Sequence, residues 1–147
     1  MATFDELLLQ EYQRWRLYLH QDQCYLGRAY LWLKRPGTMQ RFSLLETRDW
    51  GEMRKIMLAY ELVLGELWKP GHMNYAWLGN DFATHEGHGH MHLIPRYVSP
   101  IEFAGATFVD GRWGKNYAPY RKQVESDPML FKIRDAIRQP LRTVVLY

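Results

Sequence analysis

The chain has 147 residues, 47% apolar and 15% aromatic, enough for one domain with a real core. A net charge of +3 suits an anionic ligand, but the basic residues are scattered, which argues against an arm that tracks a nucleic-acid backbone. With no apolar run of about 18 residues, no basic n-region ahead of an apolar stretch and one cysteine, Cys24, that has no internal disulfide partner, the expected setting is the cytoplasm, with no membrane and no nucleic-acid partner.

In chain order, Thr3 and Glu6 read as a capping box opening a short helix whose stripe is Phe4, Leu7, Leu8, Tyr12 and Trp15. Arg16 to Tyr25 has strand character, Gly27 breaks it, and Ala29 to Leu33 is a second strand of large residues. Lys34-Arg35-Pro36-Gly37 is turn chemistry. Thr47 is the expected N-cap of the longest helix, Arg48 to Lys69. Its stripe of Trp50, Met53, Ile56, Met57, Tyr60, Val63, Leu64 and Leu67 is spaced by threes and fours, and Pro70-Gly71 closes it. Met73 to Leu78 reads as a strand, Gly79-Asn80-Asp81 as a turn and His88 to Tyr97 as another strand. Ser99 to Tyr120 reads as an ordered loop rich in Gly, Pro and aromatics. Asp127 as N-cap with Pro128 opens a last helix that buries Leu130, Ile133 and Ile137 and stops at Pro140. The result is an α+β fold, an antiparallel sheet of about five strands with a long helix on it and a C-terminal helix.

Of six histidines, four fall between His85 and His92. In a strand, alternate side chains share a face, so His88, His90 and His92 form a row with α-carbons about 7 Å apart. Such a row supports two chemistries. A neutral imidazole can attack phosphorus and form a phosphohistidine-type intermediate while its neighbours hold phosphate oxygens. Alternatively, neutral imidazoles bind zinc. The string His85-Glu86-Gly87-His88 is not the zincin motif, because its second histidine comes one residue early.

His88-Gly89-His90-Met91-His92-Leu93-Ile94 followed by Pro95-Arg96 resembles the histidine-triad signature of three alternating histidines and an apolar pair. Gly27-Arg28-Ala29-Tyr30-Leu31-Trp32-Leu33-Lys34-Arg35-Pro36 resembles that superfamily's glycine-led strand and basic turn. Arg41-Phe42, Leu44-Leu45 and the long helix follow suit, so the resemblance covers Leu17 to Tyr97. It implies one domain over 1–147, with a core at about 17–97 and a C-terminal extension at 98–147. It also implies His90 as nucleophile, with His88 and His92 positioning it and binding phosphate oxygens. Thr84 and His85 stand where a phosphate or leaving-group contact is expected, and the sugar-binding position falls within His20 to Asp22.

Three positions depart from the pattern. Arg28 replaces the histidine of the glycine-led strand, so a guanidinium could stand beside the phosphates. Phe82-Ala83-Thr84 replaces an Ala-Gly-Gln run, and Gly89 sits where an apolar side chain is usual. His92 in the third place resembles the hydrolase branches, because the nucleotidyltransferase branch typically has Gln there. The implied activity is hydrolysis at the α-phosphorus of a dinucleoside polyphosphate or nucleoside phosphoramidate, through a nucleotidyl-histidine. A nucleotidyltransferase or a non-catalytic nucleotide- or metal-binding module are the alternatives. No cofactor is expected to be required, zinc at the histidines being the exception to test, and the resemblance implies a homodimer. Bland readings stand beside several residues: Arg96 as a strand-end charge, His72 as a surface residue, Cys24 as inert core, and Lys115 and Asn116 as part of a Gly-bent loop.

Overall fold

The computed structural model describes residues 1–36, 41–78 and 88–146. Five strands form one antiparallel sheet: β1 (Leu8–Glu11), β2 (Trp15–Leu19), β3 (Ala29–Leu33), β4 (His72–Trp77) and β5 (His90–Arg96), in the order β1-β2-β3-β5-β4. Helix α1 (Thr47–Leu67) separates β3 from β4 in the chain. A hairpin of β6 (Ile101–Phe103) and β7 (Ala106–Phe108) precedes helix α2 (Asp127–Leu141). The α+β class and the helix-on-sheet arrangement are as expected. No described helix is long and apolar enough to cross a membrane.

Strand alternation gives the sheet two different faces. Leu17, Leu31 and Met91 are cross-strand neighbours on one face, and they are buried with Met53, Ile56, Tyr60 and Leu64 of α1 in a common core. Each such leucine is worth roughly 1.5–3 kcal/mol of apolar burial. The opposite face carries Tyr18, Tyr30 and His92 in one cross-strand row, with Trp32 opposite His90 in the next. α2 buries Leu130, Ile133, Ile137 and Leu141. Its outer arginines fix the N-terminal segment: Arg138 Nε donates to the Leu8 carbonyl (2.7 Å) and Arg134 to that of Glu6 (2.8 Å).

The N-terminal helix is not there. Thr3 and Glu6 do exchange the capping hydrogen bonds, Thr3 N–H to the Glu6 carboxylate at 2.7 Å and Glu6 N–H to Thr3 Oγ1 at 3.3 Å. They close only a 3-10 turn, Asp5–Leu7, before the chain extends into β1. Leu7 and Leu9 are buried two residues apart while Phe4 is 64% exposed, so sheet pairing set the period in this leucine-rich stretch. β2 stops at Leu19 rather than Tyr25, because the Gln23 amide organises the following loop. Its NH2 donates to the carbonyls of His20 (2.7 Å) and Arg28 (2.9 Å), and its oxygen accepts from Gly27 N–H (2.8 Å).

Helix ends also shift. α1 is capped by Glu46, not Thr47: Glu46 and Asp49 form a capping box, and Asp49 is buried against Arg14 and Arg35. α2 is capped by Ser126, not Asp127, and Pro140 lies within its last turn instead of stopping it. Trp50 faces outward at 38% exposure, so it does not belong to the buried stripe. The Ser99–Tyr120 stretch is not all loop. β6 and β7 pair through Ala104 and Gly105, both at positive φ as a two-residue hairpin turn requires. Gly37 of the first turn and the Gly79-Asn80-Asp81 turn lie outside the described residues.

Candidate active site

The backbone of β3 and β5 brings the histidines together. The rings of His90 and His92 are 5.0 Å apart, and Tyr30 of β3 stands 6.3 and 6.2 Å from them. His88 lies just before β5 rather than in it. Its ring stacks on Trp32 at 4.9 Å, and its Nδ1 is 2.6 Å from the Leu33 carbonyl. A carbonyl only accepts, so His88 Nδ1 carries a proton and its Nε2 edge is left for other work. Gly89 contributes backbone here, its carbonyl accepting from Leu33 N–H at 2.9 Å. His90 and His92 are almost covered, at 5% and 9% exposure, and His88 is half-buried.

A pocket of about 240 Å³ opens on this face, lined by Phe4, Leu7, Leu19, His20, Gln21, Tyr30, His90 and His92. An aromatic wall runs beside it: Tyr18 stacks on Tyr30 at 5.4 Å and Phe4 meets Tyr18 edge-on at 6.4 Å. Burial raises the Tyr30 hydroxyl well above its ordinary pKa, so it stays a neutral donor. His20 stands 5.9 Å from His92, ring to ring. Its Nδ1 accepts from Asp22 N–H at 3.0 Å. Burial, and then the nearby Arg28 guanidinium, push its pKa down to about 4.

Arg28 and Asp22 do not line that pocket. They are 3% and 4% exposed and face each other across 3.8 Å. Arg28 also donates to the Tyr120 hydroxyl (2.7 Å) and lies over the Tyr120 ring. Asp22 Oδ1 accepts from the backbone N–H groups of Cys24 (3.1 Å) and Gln123 (3.0 Å). The departure at position 28 is therefore absorbed by the C-terminal extension, which packs on the end of the histidine face. Arg96 is committed in the same way. It binds Asp110 through two nitrogens (2.7 and 3.1 Å), Asn74, and the carbonyls of Arg112 and Lys115. Burial raises the Asp110 pKa, but hydrogen bonds from Arg96 and from the N–H groups of Arg112 and Tyr97 outweigh it and hold it low.

Lys115 and Asn116 border a separate groove along β4 with His72, which is exposed. Cys24 is 8% exposed, its thiol pushed up to about 12 by burial first and then by Asp22, so it is no thiolate nucleophile. Among the described residues no three His, Cys, Asp or Glu side chains are grouped to hold a metal ion. Thr84 and His85 lie outside the described residues. Phe4, Tyr18 and Tyr30 belong to the site although sequence reading did not name them for it. Tyr30 was findable, because pairing the two strands antiparallel puts Trp32 opposite His90 and Tyr30 opposite His92.

No family model and no curated protein matches the sequence. The fold does match. A histidine triad protein from Sinorhizobium meliloti superposes with a TM-score of 0.70 at 13% identity, covering 91% of this chain and 88% of its own. One from Marinobacter aquaeolei gives 0.68 at 17% identity, covering 94% and 90%. The diadenosine triphosphate hydrolase of Plasmodium falciparum gives 0.64 at 11% identity, covering 93% and 77%. The class is thus an α+β sheet with a histidine row on its open face. More particularly, the chain has the histidine-triad fold.

Proposed function

We propose that this chain is a histidine-triad nucleotide hydrolase that acts at an α-phosphorus through His90. The observation that carries the reading is the pair His90 and His92 lining an aromatic-walled pocket, with His88 stacked on Trp32 just before them, on a histidine-triad fold. A neutral His90 ring nitrogen attacks the α-phosphorus, the P–N bond forms, and the bond to the leaving group breaks. Water then attacks the same phosphorus, the P–N bond breaks, and a nucleoside monophosphate leaves. His92, beside His90, holds the non-bridging oxygens, and His88, fixed through Nδ1 on the Leu33 carbonyl, helps position the row. Phe4, Leu7, Leu19 and Tyr30 receive the base. Thr84 and His85, by their place before His88, are assigned to the leaving group.

The substrate class is a dinucleoside polyphosphate or a nucleoside phosphoramidate. Arg28 gives no reason to prefer the former, since its guanidinium is held by Asp22 and Tyr120. The reading assigns no metal to the reaction. One zinc per chain in the purified protein, with activity lost on chelation, would overturn that part. The lone cysteine and the absence of a spanning helix among the described residues support a cytoplasmic setting.

The test is a panel of adenosine phosphoramidate, dinucleoside tri- and tetraphosphates and nucleotide sugars, read by product identity. Monophosphate release is expected, with one solvent oxygen-18 incorporated. His90→Asn should lower the rate by about 10³-fold or more, which is several kcal/mol of transition-state stabilisation, while nucleotide binding persists. Near-normal turnover by His90→Asn defeats the nucleophile assignment. Product without solvent oxygen assigns transfer to an acceptor instead.

A further inference from the structure

We propose that His20 is a specificity residue of this pocket and that it reads a hydrogen-bond acceptor on the bound sugar, not a hydroxyl hydrogen. The inference rests on the nucleotide reading above. Three observations place it. First, His20 lies beside His92 and Tyr30, at 5.9 and 6.0 Å between rings, on the wall shared with His90. With a phosphorus at His90 and a flat base against Phe4, Leu7 and Tyr30, the part of a nucleotide between them is the sugar.

Second, the ring is fixed in one tautomer. Asp22 N–H donates to His20 Nδ1 at 3.0 Å, and only an unprotonated nitrogen can accept it. The proton of the neutral ring is therefore on Nε2, at the opposite edge, which has no protein partner among the described residues. Burial, with Arg28 adding in the same sense and Asp22 opposing, keeps the ring neutral at any ordinary working pH. Third, among the described residues no carboxylate lines the pocket. Besides Tyr30, His90 and His92, its polar lining includes Gln21, which gives its amide N–H to the Ala2 carbonyl at 3.0 Å. His20 can thus donate to a sugar oxygen but cannot accept from a sugar hydroxyl, because its one lone pair is already used. A ligand keeps that contact when its hydroxyl is capped and loses it when the oxygen is removed.

The test measures binding of AMP and of its 2′-deoxy, 3′-deoxy, 2′-O-methyl and 3′-O-methyl forms to the wild-type chain by calorimetry. One deoxy form is expected to bind about tenfold more weakly, the value of one good hydrogen bond, while the O-methyl form at that same carbon stays within about threefold of AMP. In His20→Phe, which keeps a flat ring and loses the donor, AMP and both deoxy forms should bind alike. His20→Asp should reverse the pattern and penalise the O-methyl form. Equal binding of AMP and both deoxy forms by the wild type overturns the inference, as does a tenfold penalty on the O-methyl form or discrimination that survives in His20→Phe. The wild-type series decides even where a variant does not fold. If AMP itself fails to bind at millimolar concentration, the nucleotide reading falls, and this inference falls with it.

Discussion

Arg28 and Asp22 show how one substitution can be taken up by structure instead of by chemistry. A guanidinium just before the strand that pairs with the histidine strand invites a phosphate role, yet here it is buried with a carboxylate and under a tyrosine. Arg28 Nε and Asp22 Oδ2 are buried without hydrogen bonds, so the pair is held by charge and by Tyr120 more than by complete bonding. Arg28→Ala should therefore destabilise the fold by about 3–5 kcal/mol, because it strands a buried Asp22. Asp22→Asn in the same chain should recover part of that loss. Urea denaturation measures both. The ratio of polyphosphate to phosphoramidate turnover should stay within about a factor of two; a larger shift would put Arg28 in the reaction after all. His20 gives a pH signature. Its pKa is near 4 folded and about 6.5 unfolded, so the unfolded chain binds the extra proton first. Stability is complete above about pH 6.5 and declines as pH falls toward 4, by about 3 kcal/mol at most. His20→Asn should flatten that part of the profile, and an unchanged slope would show that other groups carry it.

At the scale of elements, the link between α1 and the β2–β3 loop positions the site. Tyr60 Oη donates to the Gly27 carbonyl at 2.5 Å, and Gly27 sits at φ +88 with Leu64 and Trp68 packed against it. A Cβ at Gly27 would come within 3.1 Å of Leu64 Cδ2 and 3.2 Å of Trp68. Gly27→Ala should cost about 1–3 kcal/mol from backbone strain and overpacking, and Tyr60→Phe about 1–2 kcal/mol for the unsatisfied carbonyl. A thermal-melt shift of less than a degree in both would refute this coupling. The elements that sequence reading placed well are those whose pattern has one solution. β3 matches residue for residue, α1 is bounded within two residues, and the histidine face follows from alternation alone. The misread segment, Thr3 to Trp15, satisfies both periods in its run of leucines, and only pairing with β2 decides between them. The same holds in the site. His88, His90 and His92 were legible as a local pattern. The burial of Arg28 depends on Tyr120, 92 positions away, the saturation of Arg96 on Asp110, 14 away, and the tautomer of His20 on a loop hydrogen bond from Asp22, none of which a strand or helix period encodes.

For the whole molecule, α1 presents more apolar surface than its own sheet uses. Its inward side buries Met53, Ile56, Tyr60, Val63 and Leu64. Its outward side leaves Trp50 at 38%, Leu58 at 45% and Leu62 at 64% exposure. A groove of about 600 Å³ runs along it between Phe42, Trp50, Met57, Leu58 and Met91, with Arg54 and Glu61 at its border. Among the described residues β4 is the edge strand on that side of the sheet. A second copy of the chain answers all three features. A two-fold axis through this side would cover the apolar residues, bring Arg54 toward Glu61, and shield the β4 edge. The wild-type chain is expected to sediment as a dimer at about 10 µM, with an interface in the range of roughly 1,200–2,000 Å². Leu58→Glu with Leu62→Glu, both at exposed positions, should give a monomer with unchanged near-ultraviolet circular dichroism. A wild type that is monomeric at that concentration rules the dimer out, and a dimer that survives the double substitution moves the interface off α1. Because the histidine row lies on the sheet face away from α1, the monomeric variant is also expected to keep its turnover within about threefold, well under 1 kcal/mol of activation free energy. A collapse of activity in the monomer would instead show that the partner copy completes the site.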